Sequence, residues 1–243
     1  MKTHDNKTQF KINDFIYDEI KKHNTTSPTI VPIIAETYSQ CYEDMIIESL
    51  FKAAVIRGDI KQEDLTYIDI GANHPIATSA SYLFYKHYNM TGILVEANPD
   101  LIYELKTTRP KDTIIESAVV DNDNATVDFY IGEDTEVSGL LVNVIDEWKQ
   151  LGHKQKITVP AIRINDVLKQ AQGKHIILTI DVEGYDYNII NDIDFNTYNP
   201  WLIQVEPSDH IIPNNTKRIT ELLSKQGYTL ISQTDVNSLY IKL

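Results

Sequence analysis

A chain of 243 residues with 42% hydrophobic content is long enough for one large α/β domain and an N-terminal extension. Its formal charge of −13, with no basic run, argues against nucleic acid as a partner, since that affinity rests on clustered Lys and Arg. Cys41 is the only cysteine, which excludes an intramolecular disulfide framework and a cysteine-rich zinc site. Met1 to Phe10 is polar rather than signal-like, and no stretch approaches membrane-spanning length, so a cytoplasmic protein without membrane insertion is expected.

In chain order, residues 1–60 read as an accessory helical extension. Phe10, Ile12, Ile16 and Ile20 have helical spacing, Asn24 to Pro32 is a Thr, Ser and Pro linker, and Cys41 to Arg57 is a second, stronger helix. Residues 61–243 then alternate strands and helices, the pattern of a mostly parallel sheet with helices on both faces. Strands are expected at Leu65–Ile70, Gly92–Glu96, Thr113–Val119, His175–Asp181, Trp201–Glu206, Tyr228–Gln233 and Ser238–Lys242, the last two as an antiparallel pair. Thr126 to Ile131 and part of Lys156 to Ile164 alternate with period two, so an antiparallel β insert is expected over about residues 125–164. It is expected to belong to the acceptor side of the site, because substrates of open α/β sheets bind at the strands' carboxyl ends.

Leu65 to Ile70 is an apolar run stopped by Gly71, as expected of a buried parallel strand opening into a tight turn where the backbone approaches a ligand. Glu96 ends the second strand 25 residues beyond Gly71, about the distance at which such a sheet places a carboxylate on a ribose diol. A dinucleotide site wants three glycines spaced G-x-G-x-x-G, whereas Gly71-Ala72-Asn73-His74-Pro75-Ile76 has only the first. Asp69 would repel phosphate yet suit a cationic, amino-acid-bearing ligand such as S-adenosylmethionine. His74 is read as a local hydrogen-bond donor.

Asp181 and Glu183 close the fourth core strand, and Glu206 closes the next, with Asp209 and His210 close behind. Making a neutral hydroxyl nucleophilic needs a base or a metal. Asp181, Glu206 and His210 are candidates for the first role, or for ligands to Mg²⁺ or Mn²⁺ in the second.

Together Tyr67-Ile68-Asp69-Ile70-Gly71-Ala72-Asn73-His74-Pro75, Val95-Glu96-Ala97-Asn98-Pro99, Ile180-Asp181-Val182-Glu183-Gly184 and Gln204-Val205-Glu206 resemble the FkbM family of S-adenosylmethionine-dependent methyltransferases. Ser39-Gln40-Cys41-Tyr42-Glu43-Asp44 resembles a segment that precedes the domain in one branch of the family. The resemblance implies a seven-stranded class I methyltransferase (Rossmann-like) fold and O-methylation, frequently of a sugar. It also implies a cofactor site formed by Asp69, Gly71, Ala72, Asn73, Glu96, Ala97, Ser117, Ala118 and Asp181, with Ser117 and Ala118 at the adenine edge. Thr179 departs from relatives, which often carry Lys before the Asp181 motif, and Tyr185 is read as a helix-start core residue, with stacking on an acceptor sugar as the alternative. The expected protein is an O-methyltransferase acting on a carbohydrate, with a homo-oligomer allowed. An NAD-dependent oxidoreductase and a non-catalytic binding protein of a glycan-assembly system are the alternatives.

Overall fold

The computed structural model describes residues 36–133, 137–142, 153–171 and 173–242, so the helix expected at Phe10 to His23 lies outside the described residues. After α1 (Glu43–Arg57), β1 (Leu65–Ile70) runs to the turn at Gly71. There follow α2 (Tyr82–Tyr88), β2 (Ile93–Glu96), α3 (Pro99–Thr108), β3 (Thr113–Glu116), β4 (Ala118–Val120), β5 (Thr126–Gly132) and β6 (His153–Arg163). The chain continues through α4 (Ile164–Leu168), β7 (His175–Ile180), α5 (Asp186–Asp192), β8 (Leu202–Val205), α6 (Asn215–Lys225), β9 (Tyr228–Gln233) and β10 (Ser238–Lys242).

Seven strands form one sheet in the order β3-β2-β1-β7-β8-β10-β9, parallel except for β10, which is antiparallel to both neighbours. All six residues of β1 are buried, which accounts for its unbroken apolar reading. Successive side chains enter opposite layers. Ile68 and Ile70 join one apolar cluster with Leu178, Ile180, Ile203 and Val205, whereas Leu65 and Tyr67 join another with Ile177 and Leu202. Ile47, Phe51 and Ala54 of α1 pack into this second cluster, Ile47 and Phe51 each contributing about 1.5–3 kcal/mol by leaving water. The compact unit accordingly begins at Thr37. The helix read as part of an accessory extension thus helps build the domain core.

The expected third strand divides. Thr113 to Glu116 is the edge of the large sheet, Ser117 donates its backbone N–H to Glu96 O at 3.0 Å, and Ala118 to Val120 enters a second sheet of order β4-β6-β5. The expected insert is therefore an antiparallel β5/β6 pair extended by a parallel β4. Apolar burial drives the switch, because Ala118 packs with Phe129, Ile131 and Val159 between the strands of the small sheet.

Candidate active site

The carboxyl ends of β1, β2, β7 and β8 meet in one crevice, and its geometry starts at Gly71. With φ of +81°, this residue donates its N–H to Val95 O at 2.9 Å. A Cβ here would lie 1.8 Å from Asp181 O. The glycine is thus required by the close approach of β7, a stronger constraint than the ligand approach expected from the sequence. Glu96 is buried at the end of β2. Its two oxygens accept the backbone N–H groups of Asn73 at 2.8 Å and Asn98 at 2.7 Å, tying the turn after β1 to the turn after β2. Burial pushes the Glu96 carboxyl up, and these amides oppose that rise.

A narrow cleft beside this turn is lined by Gly71, Asn73, Glu96, Ala97, Ser117, Ala118 and Asp181. Seven of the residues expected to hold the cofactor are therefore gathered at one place. Phe129, Ser138, Gly139 and Leu140 of the β insert close the same cleft. The insert thus borders the cleft that gathers these residues, whereas it was expected to lie outside it. Gly139 is held there by paired backbone hydrogen bonds with Tyr130, at 2.9 and 3.1 Å.

Asp69 and Ala72 line a second, wider cavity of about 510 Å³ that shares Gly71, Asn73, Asp181 and Glu183 with the cleft. The Asp69 carboxylate accepts the hydroxyls of Ser81 at 2.7 Å and Thr179 at 2.6 Å. Thr179 thus braces Asp69 from the neighbouring strand. Behind Ser81 lies Arg109, fully buried and paired with Asp112 at 2.8 Å. The guanidinium donates to Pro75 O, Tyr67 Oη and Ser81 Oγ and lies 4.6 Å from the centre of the Tyr85 ring. A buried cation persists only with such partners, and these fix the segment from Pro75 to Ser81. Sequence reasoning missed it, because one Arg between a helix and a strand carries no signature of burial. His74 also serves this segment, but as an acceptor. Its Nδ1 takes the N–H groups of Ile76 at 3.0 Å and Ala77 at 2.8 Å, correcting the donor role expected.

At the junction of the two cavities, Asp181 is exposed and Glu206 is buried. Burial first, then the charge of Asp181, pushes the Glu206 carboxyl up to about 10, and its hydrogen bond with Asp181 favours the protonated form. At neutral pH Glu206 holds a proton beside the Asp181 carboxylate. Glu183 follows with φ of +55°, a conformation costing about 1–3 kcal/mol for a non-glycine residue. Asp186 stabilises that turn by accepting the N–H groups of Val182 at 3.2 Å and Gly184 at 3.0 Å, and burial followed by Asp181 raises it to about 8.

His210 is exposed on the wall of the wide cavity. Among the described residues no group of three or more His, Cys, Asp or Glu side chains is arranged to hold a metal ion, so Asp181, Glu206 and His210 do not fit the ligand set considered from sequence. Tyr185 takes its core reading and not the sugar-stacking alternative. Its ring packs against the core and its hydroxyl donates to Asp121 Oδ1 at 2.5 Å, so it lines neither the cleft nor the wide cavity.

The segment before α1 completes the wide cavity. Asp44 accepts Thr37 Oγ1 and Tyr38 N, both at 2.7 Å, and Ser39 Oγ at 2.8 Å. Glu43, fully buried, accepts Cys41 N at 2.8 Å through one oxygen. Through the other it accepts Thr234 Oγ1 at 2.6 Å and Asn237 Nδ2 at 3.1 Å. This latch fastens the segment to the turn between β9 and β10, with Ser39 and Gln40 on the cavity wall.

The family model described as Methyltransferase FkbM domain matches residues 69–230. Among solved structures, a precorrin-6y C5,15-methyltransferase from Geobacter metallireducens GS-15 is 13% identical, with 78% of this chain and 86% of that chain covered and a TM-score of 0.40. A putative caffeoyl-CoA O-methyltransferase from Staphylococcus aureus is 12% identical, with 96% of this chain and 100% of that chain covered and a TM-score of 0.41. No curated protein matches the chain.

Proposed function

The chain belongs to the FkbM methyltransferase family, an S-adenosylmethionine-dependent methyltransferase of class I fold, and we propose that it methylates a hydroxyl of a carbohydrate with Asp181 as the base. The observation that carries this reading is the Asp181 carboxylate beside protonated Glu206, where the cleft and the wide cavity join. Glu96, Ala97, Ser117 and Ala118 would hold the nucleoside of the methyl donor. Asp69 and the turn from Gly71 to Asn73 would face its amino-acid part. The donor supplies an electrophilic sulfonium methyl, and transfer to oxygen breaks an S–CH₃ bond, forms an O–CH₃ bond and leaves a thioether. The hydroxyl proton needs an acceptor, and Asp181 is placed to take it while Glu206 keeps the pair at a single negative charge.

The wide cavity supports this acceptor class, since its described lining has no Lys or Arg and is rich in hydroxyl, amide and carboxylate groups. A polyanion is disfavoured there, and a polyhydroxylated ligand finds hydrogen-bond partners. Calorimetry with S-adenosylmethionine followed by a transfer assay on an oligosaccharide panel tests the reading. Methyl product on sugar oxygen, undiminished by EDTA, is expected. Donor binding without transfer to any carbohydrate sinks it, and EDTA loss restored by Mg²⁺ or Mn²⁺ replaces the base by a metal.

A further inference from the structure

Among the described residues, seven carboxylate side chains and no Lys or Arg line the wide cavity, in a chain that has 22 Lys and Arg among 243 residues. Several of those acids are already engaged within the protein. Glu43 holds Thr234 and Asn237, Asp69 holds Ser81 and Thr179, and Asp209 accepts Thr216 N at 2.9 Å. Their charge still makes the cavity strongly negative.

The far wall, where β8 and β10 pair, adds a second observation. Gln204 stands opposite Leu239 in that pairing, and Asn237 immediately precedes β10. Both line the cavity at 6% and 5% exposure, yet among the described residues Gln204 Oε1 and Asn237 Oδ1 have no hydrogen-bond partner, as is true of the buried Ser208 Oγ on the same cavity. The Asn237 amide cannot simply be turned over, because its Nδ2 donates to Glu43 Oε1. A buried acceptor left unmet costs about 1–3 kcal/mol, so two along one cavity wall call for donors from a ligand. A carboxylate-rich wall with two unmet amide oxygens suits a group that donates and does not accept. A hydroxyl does both, whereas an ammonium has three donors, no acceptor and the complementary charge.

Resting on the O-methylation reading above, we propose that the acceptor is an amino sugar whose protonated amine is recognised at the Gln204 and Asn237 wall, while the hydroxyl to be methylated faces Asp181. Gln204 and Asn237 are then specificity-determining residues. The latch from Glu43 is a positioning contact that keeps the Asn237 oxygen available. In the transfer step the methyl passes from sulfur to oxygen, the proton goes to Asp181, and the amine keeps its three protons.

The test compares transfer of labelled methyl from S-adenosylmethionine to glucosamine and galactosamine oligomers, their fully N-acetylated counterparts, and a uronate oligomer of equal length. The amine-bearing oligomers are expected to show at least a tenfold higher kcat/KM than the acetylated ones, with the methyl on oxygen and no transfer to the uronate. Gln204→Leu is expected to erase most of that preference through acceptor KM, with donor affinity unchanged. Asn237→Leu provides the same reading should the first variant fail to fold. Equal or better transfer to acetylated oligomers, methylation of nitrogen, or a preference unmoved in a folded variant overturns the amine assignment. Of these, transfer to acetylated sugar leaves the O-methylation reading standing. Transfer to no carbohydrate removes both.

Discussion

On the cleft, Glu96 already has an amide N–H on each oxygen. On the side of β8 and β10, the amide oxygens of Gln204 and Asn237 are unmet among the described residues, and Glu206 retains a proton because burial, then the charge of Asp181, raises it. Both sides are made from strand ends of the same sheet. Their difference separates a cleft whose carboxylate is already hydrogen-bonded from a cavity wall with unmet amide oxygens, which under the proposed reading are the nucleoside and the acceptor sides.

Gly71 joins the two regions, and replacing it should erase the distinction altogether. Gly71→Val puts a branched side chain onto Asp181 O and keeps a positive φ, combining about 1–3 kcal/mol of backbone strain with an overpacking cost of similar size. The expected result is a large drop in Tm and loss of donor binding, both read on the purified variant. A well-folded variant that binds S-adenosylmethionine normally would show that the turn does not hold the site. Asp181→Asn should instead act on one region alone. Removing the base while keeping its size should lower turnover by about 10²-fold with donor affinity little changed, a split seen by pairing single-turnover rates with calorimetry. Wild-type turnover on the true acceptor would remove Asp181 from the chemistry.

The nucleoside side was the more legible in sequence because its signals are local. A buried strand, a glycine and a carboxylate at fixed spacing place Gly71 and Glu96, and the seven-stranded mostly parallel sheet with its antiparallel end followed from alternating elements together with the family resemblance. The rest depends on contacts between distant residues. Arg109 becomes a buried cation only through Tyr67, Pro75, Ser81 and Asp112. Glu43 becomes a latch only when the chain returns 191 residues later at Thr234. Tyr185 kept two readings in sequence for a similar reason, since residue type alone does not tell whether a ring at a turn faces a cavity or the core. No periodicity encodes such pairings.

Glu96→Ala probes the preorganised cleft more gently. The lost carboxylate frees two backbone N–H groups as well as the ribose acceptor, so donor affinity should fall by about 10- to 100-fold, corresponding to ~1.5–3 kcal/mol. Titration calorimetry on a variant with native-like circular dichroism measures it. The turnover of saturated enzyme should change much less, because Glu96 lies on the cleft and not on the wide cavity. Unchanged affinity would remove the ribose assignment.

The remaining expected effect is on the pH dependence of stability and tests the side of β8 and β10 directly. The Glu206 carboxyl is raised from an ordinary 4.5 to about 10 in the folded chain, so between those values the folded state holds a proton that the unfolded state has lost. The slope of unfolding free energy with pH is therefore negative across that window: the stabilisation is complete below about 4.5 and is lost as pH rises through about 10. Asp186, raised to about 8, adds a slope of the same sign. Glu206→Gln keeps a donor toward Asp181 but cannot ionise. Its Tm should fall less than that of the natural chain between pH 5 and pH 9, with the residual slope left by Asp186. Parallel Tm curves for the two proteins would mean that Glu206 is already ionised at neutral pH, and the shared proton beside Asp181 would have to be abandoned.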